Sequence, residues 1–336
     1  MKERRGHGAF RSGKEYRQYL LLLAVMGILA LLFAAGLLLY NNPVPVTSPS
    51  FWPVVRRRVT AVIAMALAAL CQSTATLTFQ SITNNHIITP SLLGFEALYG
   101  VINTSIVFFF GTSTLIAIDG LPSYCIQVLL MIALSALLYG TLLKDSYKDM
   151  QFVLLIGVIV GAGLRSVSSF MRRLLTPSEF DVLQARMFGS VNNADPDYFY
   201  VAIPLVIVSV TVIFLYAAKL NVLSLGKDVA TVLGLDHRRH TLVLLSFVSI
   251  LMAVSTALVG SLTFYGFLVV TFTYRLVKSY DHCFLYPFAT VFAFLVITAA
   301  YFFMYHIFNA QGVVSILIEL FGGGIFLFML LRGNND

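Results

Sequence analysis

Glu319 lies in the run SILIELFGGG, an ionisable carboxyl among apolar residues near the C-terminus. A carboxylate in hydrocarbon is costly enough that it should face a polar partner or a water-lined cavity. Two readings follow: a hydrogen bond to a neighbouring helix, with the carboxyl protonated, or a place on a solute pathway. Arg165, Arg172 and Arg173 form a second group, at the polar end of another apolar run. They could draw in an anion, because cationic rims concentrate anions, or they could ligate the last carbonyls of a helix. Glu96 and His306 sit nearer the ends of apolar runs, where hydration accounts for them. Cys71, Cys125 and Cys283 have no metal-like spacing and read as core residues, with no disulfide or metal framework. The chain has no Gly-rich phosphate loop ending in Lys-Ser or Lys-Thr, no HExxH and no nucleophile elbow. It does not read as an enzyme, and neither a metal nor a cofactor of its own is expected.

Composition decides what must hold these residues in place. Of 336 residues 59% are hydrophobic and 11% charged, against about 25% charged in a soluble domain, and the mean hydropathy is +0.88. Such a chain is an all-α, polytopic membrane protein built from spans of about 20 residues. The net charge of +7 does not point to nucleic acid, because the basic residues gather at the ends of apolar runs, where they set orientation.

About ten apolar segments can be drawn. A basic leader, residues 1–17, precedes span 1 at about 18–40, and a Pro-, Ser- and Asn-rich loop leads to Arg56, Arg57 and Arg58 and then span 2, about 59–79. A polar break, 80–90, precedes span 3 at 91–110; spans 4 and 5 follow at 121–143 and 152–175. Thr176 to Asp197 reads as an outer segment with a short helix starting near Pro177 and capped by Thr176. Span 6 is about 198–218, span 7 about 241–261, spans 9 and 10 about 284–306 and 312–331. Between them, 264–277 is too short for an ordinary span and reads as a half-helix beside protein. The bias of Lys and Arg predicts both termini in the cytoplasm, with Arg56 to Arg58 as a local exception on the outer side. The breaks TPSLLG (89–94) and GSLTFYGF (260–267) occupy related places, the cue for an inverted pair of repeats.

The longest polar interruption in the second half is 220–240, LNVLSLGKDVATVLGLDHRRH. Val229, Val232 and Leu233 at i, i+3 and i+4 predict a two-turn helix over 226–233, stopped by Gly234. A helix that short is not stable alone and must dock on something. Its pattern LxLGxxxAxxLG, carried by Leu223, Leu225, Gly226, Ala230, Leu233 and Gly234, resembles the coupling segment of the iron-siderophore and vitamin B12 ABC permease family. Arg58, Gln80, Asn84, Pro90 to Gly94, then Gly260, Phe264 and Gly266, and the closing GGGIFLFMLLR resemble further marks of that family, over about 58–332. The chain departs from it at Asn85-His86, at Thr271-Phe272 before Tyr274 and Arg275, and near Ala299 and Ala300, where an Asp is usual. With those departures it looks like the divergent second permease of heterodimeric importers for catecholate or mixed siderophores, of the petrobactin, anguibactin or enterobactin type.

The resemblance implies a type II ABC importer permease domain over 18–332, carrying a ferric siderophore inward across the cell membrane. It implies a second homologous permease, an extracytoplasmic siderophore-binding protein, and a cytoplasmic ATPase that binds ATP and magnesium. It assigns Leu225, Gly226, Ala230, Leu233, Gly234 and Leu235 to the ATPase groove, with small residues allowing close approach. Arg58 matches a position that meets acidic residues of the binding protein, and Arg56 and Arg57 extend that docking site; anchoring to lipid phosphates is the competing account. Gln80, Asn84, Arg165 and Glu319 are the candidate pathway residues. The alternative of a different class is an ion- or proton-coupled secondary transporter, with Glu319 and His306 at its coupling site.

Overall fold

The computed structural model describes residues 9–40, 49, 51–117, 120–142, 150–191, 194–308 and 313–332. The described residues are almost entirely helical. In chain order the helices are α1 (Gly13–Leu39), α2 (Phe51–Thr83), α3 (Phe95–Ala117), α4 (Leu121–Leu142), α5 (Met150–Arg173), α6 (Pro177–Met187), α7 (Phe199–Leu215), α8 (Ala217–Leu223), α9 (Lys227–Val232), α10 (His237–Val259), α11 (Tyr265–Leu276), α12 (His282–His306) and α13 (Val314–Arg332). Among the described residues each of the ten apolar segments carries one helix, and seven helices are long and apolar enough to cross a membrane. Residues 1–8 of the basic leader fall outside the described residues, as does part of the loop after α1.

The fold is built around α2. From Ala68 onward nearly every residue of this helix is buried, and α10, α11 and α12 pack against it. Small residues make the close approach possible: Ala64, Ala68, Ala69 and Ala75 are fully covered. On the opposing side, a Cβ at Gly266 of α11 would collide with Thr76. The helix is also rich in hydroxyls, and several satisfy themselves on their own backbone. Ser73 Oγ donates to Ala69 O (2.7 Å), Thr78 Oγ1 to Thr74 O (2.7 Å) and Thr83 Oγ1 to Phe79 O (2.9 Å). Such back-bonding lets a polar sequence stay helical in a dry core. For this reason α2 runs on through Gln80, Ser81, Ile82 and Thr83, which the polarity of the sequence had placed in a break.

A second layer consists of α3, α5 and α6. Gly94 packs on Gly161, and Thr104 Oγ1 meets Ser168 Oγ at 2.9 Å, so α3 and α5 run parallel. The segment after α5 departs from the sequence reading. The short helix expected near Pro177 is present as α6, but it packs inward, turning back along α3: Leu183 is buried against Val107, and Tyr99 OH donates to Arg186 O. Its start follows the expected capping chemistry, with Glu179 Oε2 accepting from Thr176 N–H (3.0 Å) and Thr176 Oγ1 (2.8 Å). Those two bonds hold the exposed Glu179 carboxyl below its ordinary value.

The two breaks, so far apart in sequence, meet in space. Pro90–Leu93 forms a single 3-10 turn and Gly94, at φ +108°, redirects the chain into α3. α10 ends at Gly260, φ +80°, where an added Cβ would lie 2.9 Å from Gly189 Cα. Ser190 N–H donates to Val259 O (2.8 Å), and Phe188 pairs with Ser261. Thus α3 begins, α6 ends, α10 ends and α11 begins around one point. That point lies beside Gly161, halfway along the 24 residues of α5. The 12 residues of α11 extend about 18 Å, short of the roughly 30 Å of hydrocarbon, as a half-helix should.

Candidate functional site

The polar interruption at 220–240 holds the end of α8, all of α9 and the start of α10. α7 stops at Leu215 and α8 continues after a turn at Tyr216, burying Ala217, Leu220 and Leu223. Leu223 of the LxLG pattern is therefore core. Leu225 is the first residue to emerge, and Gly226 caps α9 at φ +99°, a backbone conformation that any Cβ would strain. α9 closes at Gly234, φ +83°, with Gly234 N–H donating to Thr231 O and Leu235 N–H to Ala230 O. The two glycines fix α9 as a short hook.

The hook presents apolar surface outward. Val232 is 87% exposed, Leu233 60%, Leu225 57% and Val229 44%. Around Gly234 nothing lies within 4 Å of an added Cβ. Ala230 points the other way and is fully buried in its own chain, and Leu235 packs partly against the core. The expectation that Ala230 lets a partner approach is corrected accordingly. Its small side chain lets α9 sit against α8 and α10, and the outward face belongs to its larger neighbours.

Gln80 and Asn84 lie at the same end of the molecule. Gln80 is fully buried, its Nε2 donating to His86 O at 2.8 Å. Asn84, at φ +49°, ends α2, with its Nδ2 3.8 Å from the position of a Gly226 Cβ. Both shape the turn beside the hook; Gln80, wholly covered, does not line a channel. The ring of His86 meets Tyr274 edge-on at 4.5 Å, and burial keeps its imidazole below the ordinary value.

Missing from the sequence reading is a polar cluster close by. Asn221 of α8 reaches the start of α12, where its Nδ2 donates to Asp281 Oδ1 (3.0 Å) and its Oδ1 accepts from His282 N–H (3.0 Å). Asp281 also caps α12, accepting from Cys283 N–H at 3.0 Å. Partial burial opposes ionisation of Asp281, but the Asn221 and Cys283 donors outweigh it and hold the carboxyl below its usual value. An Asp before a long apolar run was a visible capping signal; its partner, 60 residues away, was not.

Glu96 and Glu319 come together where the breaks converge. Ser261 and Thr263 both donate to Glu96 Oε2, and Thr263 Oγ1 lies 3.4 Å from Glu319 Oε1. Glu96 Oε1 is buried with no hydrogen-bond partner among the described residues. Hydration at an interface is therefore the wrong account of Glu96, and Glu319 meets Thr263 in the turn between α10 and α11. Gly322 lies one turn further along α13, where a Cβ would meet Phe264 Cβ at 2.8 Å, so α13 passes close to this turn.

The arginines separate. Arg165 projects from the exposed face of α5. Arg172 turns inward, its Nε donating to Thr104 Oγ1 at 3.2 Å. Arg56 and Arg57 are exposed in the second turn of α2. Arg58 is not free to project in the same way. Its Nη1 donates to Leu37 O (3.2 Å), Leu38 O (3.2 Å) and Tyr40 O (3.1 Å), closing the C-terminus of α1. His306 is packed rather than hydrated, stacked on Phe302 with centroids 4.5 Å apart and its Nδ1 3.0 Å from Phe302 O.

A bundle of this kind, with a buried central helix, broken helices meeting at half depth and an apolar hook at one end, defines a polytopic transport permease. More narrowly, the chain belongs to the FecCD transport family, whose profile matches residues 20–332. It is 57% identical over 330 residues to the petrobactin import system permease protein FatC of Bacillus anthracis, covering 98% of this chain and 93% of that one. It is 36% identical to the petrobactin import system permease protein YclO of Bacillus subtilis, over 83% of this chain and 89% of the relative. Among solved structures it superimposes on an inward-facing metal-chelate type ABC transporter with a TM-score of 0.77, covering 94% of this chain and 99% of the other at 17% identity. That last likeness is one of fold.

Proposed function

We propose that the chain is the membrane-spanning permease subunit of an ABC importer that carries a ferric siderophore of the petrobactin class into the cell. The observation that carries this reading is the 57% identity, over nearly the whole of both chains, to a petrobactin import permease. The exposed faces of Leu225, Val229, Val232 and Leu233 supply the surface on which a separate ATPase docks, and that ATPase binds ATP and magnesium. Both termini then lie in the cytoplasm, on the side of the hook, and Arg56 and Arg57 face the binding protein outside.

A second permease completes the pathway. Bacillus anthracis and Bacillus subtilis each have a further petrobactin import permease, FatD and YclN, which resemble this chain at 24% and 26% identity. Two unlike permeases bearing one system name in one organism favour a heterodimer. The Glu96–Thr263–Glu319 contact is the one observation favouring a proton-coupled carrier instead.

Uptake of radiolabelled ferric petrobactin, by a strain deleted for this chain and by the complemented strain, tests both. The importer reading expects uptake to vanish on deletion, return on complementation and stop when the partner ATPase is inactivated. Uptake that survives loss of the ATPase but collapses with a proton uncoupler at constant ATP overturns it in favour of the carrier.

A further inference from the structure

The hook can move the membrane helices only through what holds α8 and α10 to them. α8 is anchored by Leu220 and Leu223, apolar contacts that have no fixed direction, and by Asn221, which does. Asn221 sits five positions before Gly226, and its amide is the start of a continuous polar chain. His282 Nδ1 faces Asn221 Oδ1, and His282 Nε2 lies 2.7 Å from Ser81 Oγ in the last turn of α2. Ser81 Oγ lies 3.3 Å from Tyr274 OH in the last turn of α11. His282 and Ser81 are each 2% exposed. One imidazole therefore joins α8, α12, α2 and, through Ser81, α11.

Proton bookkeeping gives this chain a single direction. The Asn221 amide hydrogens point to Asp281, so its Oδ1 is an acceptor and His282 Nδ1 must carry a hydrogen. In the neutral ring Nε2 is then an acceptor. Ser81 donates to it, the 2.7 Å contact being shorter than the 2.9 Å one to Leu77 O, and Tyr274 donates to Ser81. Every donor has an acceptor. A buried network satisfied in one arrangement resists gradual deformation, unlike an apolar contact that slides.

We propose that Asn221, His282 and Ser81 are positioning residues that pass displacement of the coupling segment from α8 to α2 and α12, a role that rests on the importer reading. In series, each of the three is needed, and removing two is no worse than removing one.

The test uses the whole importer, with partner permease, ATPase and binding protein, in proteoliposomes. Uptake of radiolabelled ferric petrobactin and ATP hydrolysis are measured side by side. Asn221→Ala and Ser81→Ala each break one link. His282→Asn keeps an amide where Nδ1 was and loses Ser81; His282→Gln reaches Ser81 and loses Asn221. Each variant is expected to lower iron taken up per ATP hydrolysed by at least about fivefold, the lower range of measured couplings. ATPase association should be unchanged, and Asn221→Ala with Ser81→Ala should match the single variants. An unchanged ratio, or losses that multiply in the double variant, overturns the relay. So does an unchanged ratio in the two His282 variants, which decide the matter if the alanine ones fold poorly. A wild-type complex that imports without hydrolysing ATP overturns the importer reading itself, and the relay with it.

Discussion

Val232 and Ala230 are two residues apart on α9 and face opposite ways, so substitutions at the two should fail in opposite manners. Complete burial of a Val or Leu side chain is worth about 1.5–3 kcal/mol. Val232 and Leu233 still have 87% and 60% of their surface to bury, which leaves roughly 1–2 kcal/mol each for a docking partner. Val232→Asp removes that gain and adds a carboxylate to be desolvated. It should weaken ATPase binding by about five- to thirty-fold, at tenfold per 1.4 kcal/mol, while thermal stability of the permease alone stays within about 0.5 kcal/mol. Ala230→Leu puts new methylenes into a filled site and should destabilise the permease by about 1–3 kcal/mol. The assay is a titration of the purified ATPase onto the permease dimer in detergent, beside thermal unfolding of the dimer. Equal ATPase affinity for wild type and Val232→Asp refutes the docking face. A fall in melting temperature at Val232→Asp as large as at Ala230→Leu refutes the inward and outward assignment.

Loss of Arg58, in Arg58→Ala, should lower stability by about 1–3 kcal/mol, because three carbonyls of the α1 end lose a charged donor; Arg56→Glu with Arg57→Glu should leave stability alone, slow association of the binding protein and flatten its salt dependence. Stopped-flow association at low and high salt separates them, and identical rates would leave Arg56 and Arg57 as lipid anchors. Glu319→Gln should fold and transport, since an amide can donate to Thr263 Oγ1, whereas Glu319→Leu should lose folded yield; size-exclusion profiles of the two check this, and equal yields defeat it. Asp281 has a native value below that of the unfolded chain, so its contribution is full above the ordinary carboxylate value of about 3.9 and fades as pH falls through the lower native value. Melting temperatures of wild type and Asp281→Asn should therefore differ at neutral pH and converge in acid; a gap that stays constant refutes the assignment.

The ten apolar segments were legible because a span is a matter of length and hydrophobicity, and both are local. The hook was legible for the same reason, since Gly226 and Gly234 bracket one amphipathic turn. What failed was polarity taken as a sign of exposure. Gln80 to Thr83 looked like a break, yet Thr83 bonds the helix that carries it and Ser81 bonds His282 of α12. Glu96 looked hydrated, yet Ser261 and Thr263, 165 and 167 positions away, supply its donors. Arg58 looked like an outward cation until the end of α1 was found beneath it. In each case the partner is fixed by tertiary packing, which no local pattern encodes.

The polar residues of the core fall into two groups, and each stands where helices stop. Glu96, Ser261, Thr263 and Glu319 gather where α3 begins, α6 and α10 end and α11 begins, halfway along α5. Ser81, Gln80, Asn221, Asp281 and His282 gather where α2 and α8 end and α12 begins. A helix end leaves backbone donors and acceptors without intrahelical partners, and in hydrocarbon each must be met by protein. Side chains that satisfy them are therefore polar by necessity, before any role in transport. Both groups also join several helices through bonds of fixed geometry, so neither can shift without the helices it ties. Between the groups, α2 is wholly buried over 71–83, where Ser73 and Thr78 bond back to their own helix. On the proposed relay, motion at the hook has a stiff path up to the level of the breaks, while α1, α5 and α13 keep exposed faces that can meet lipid or a second permease.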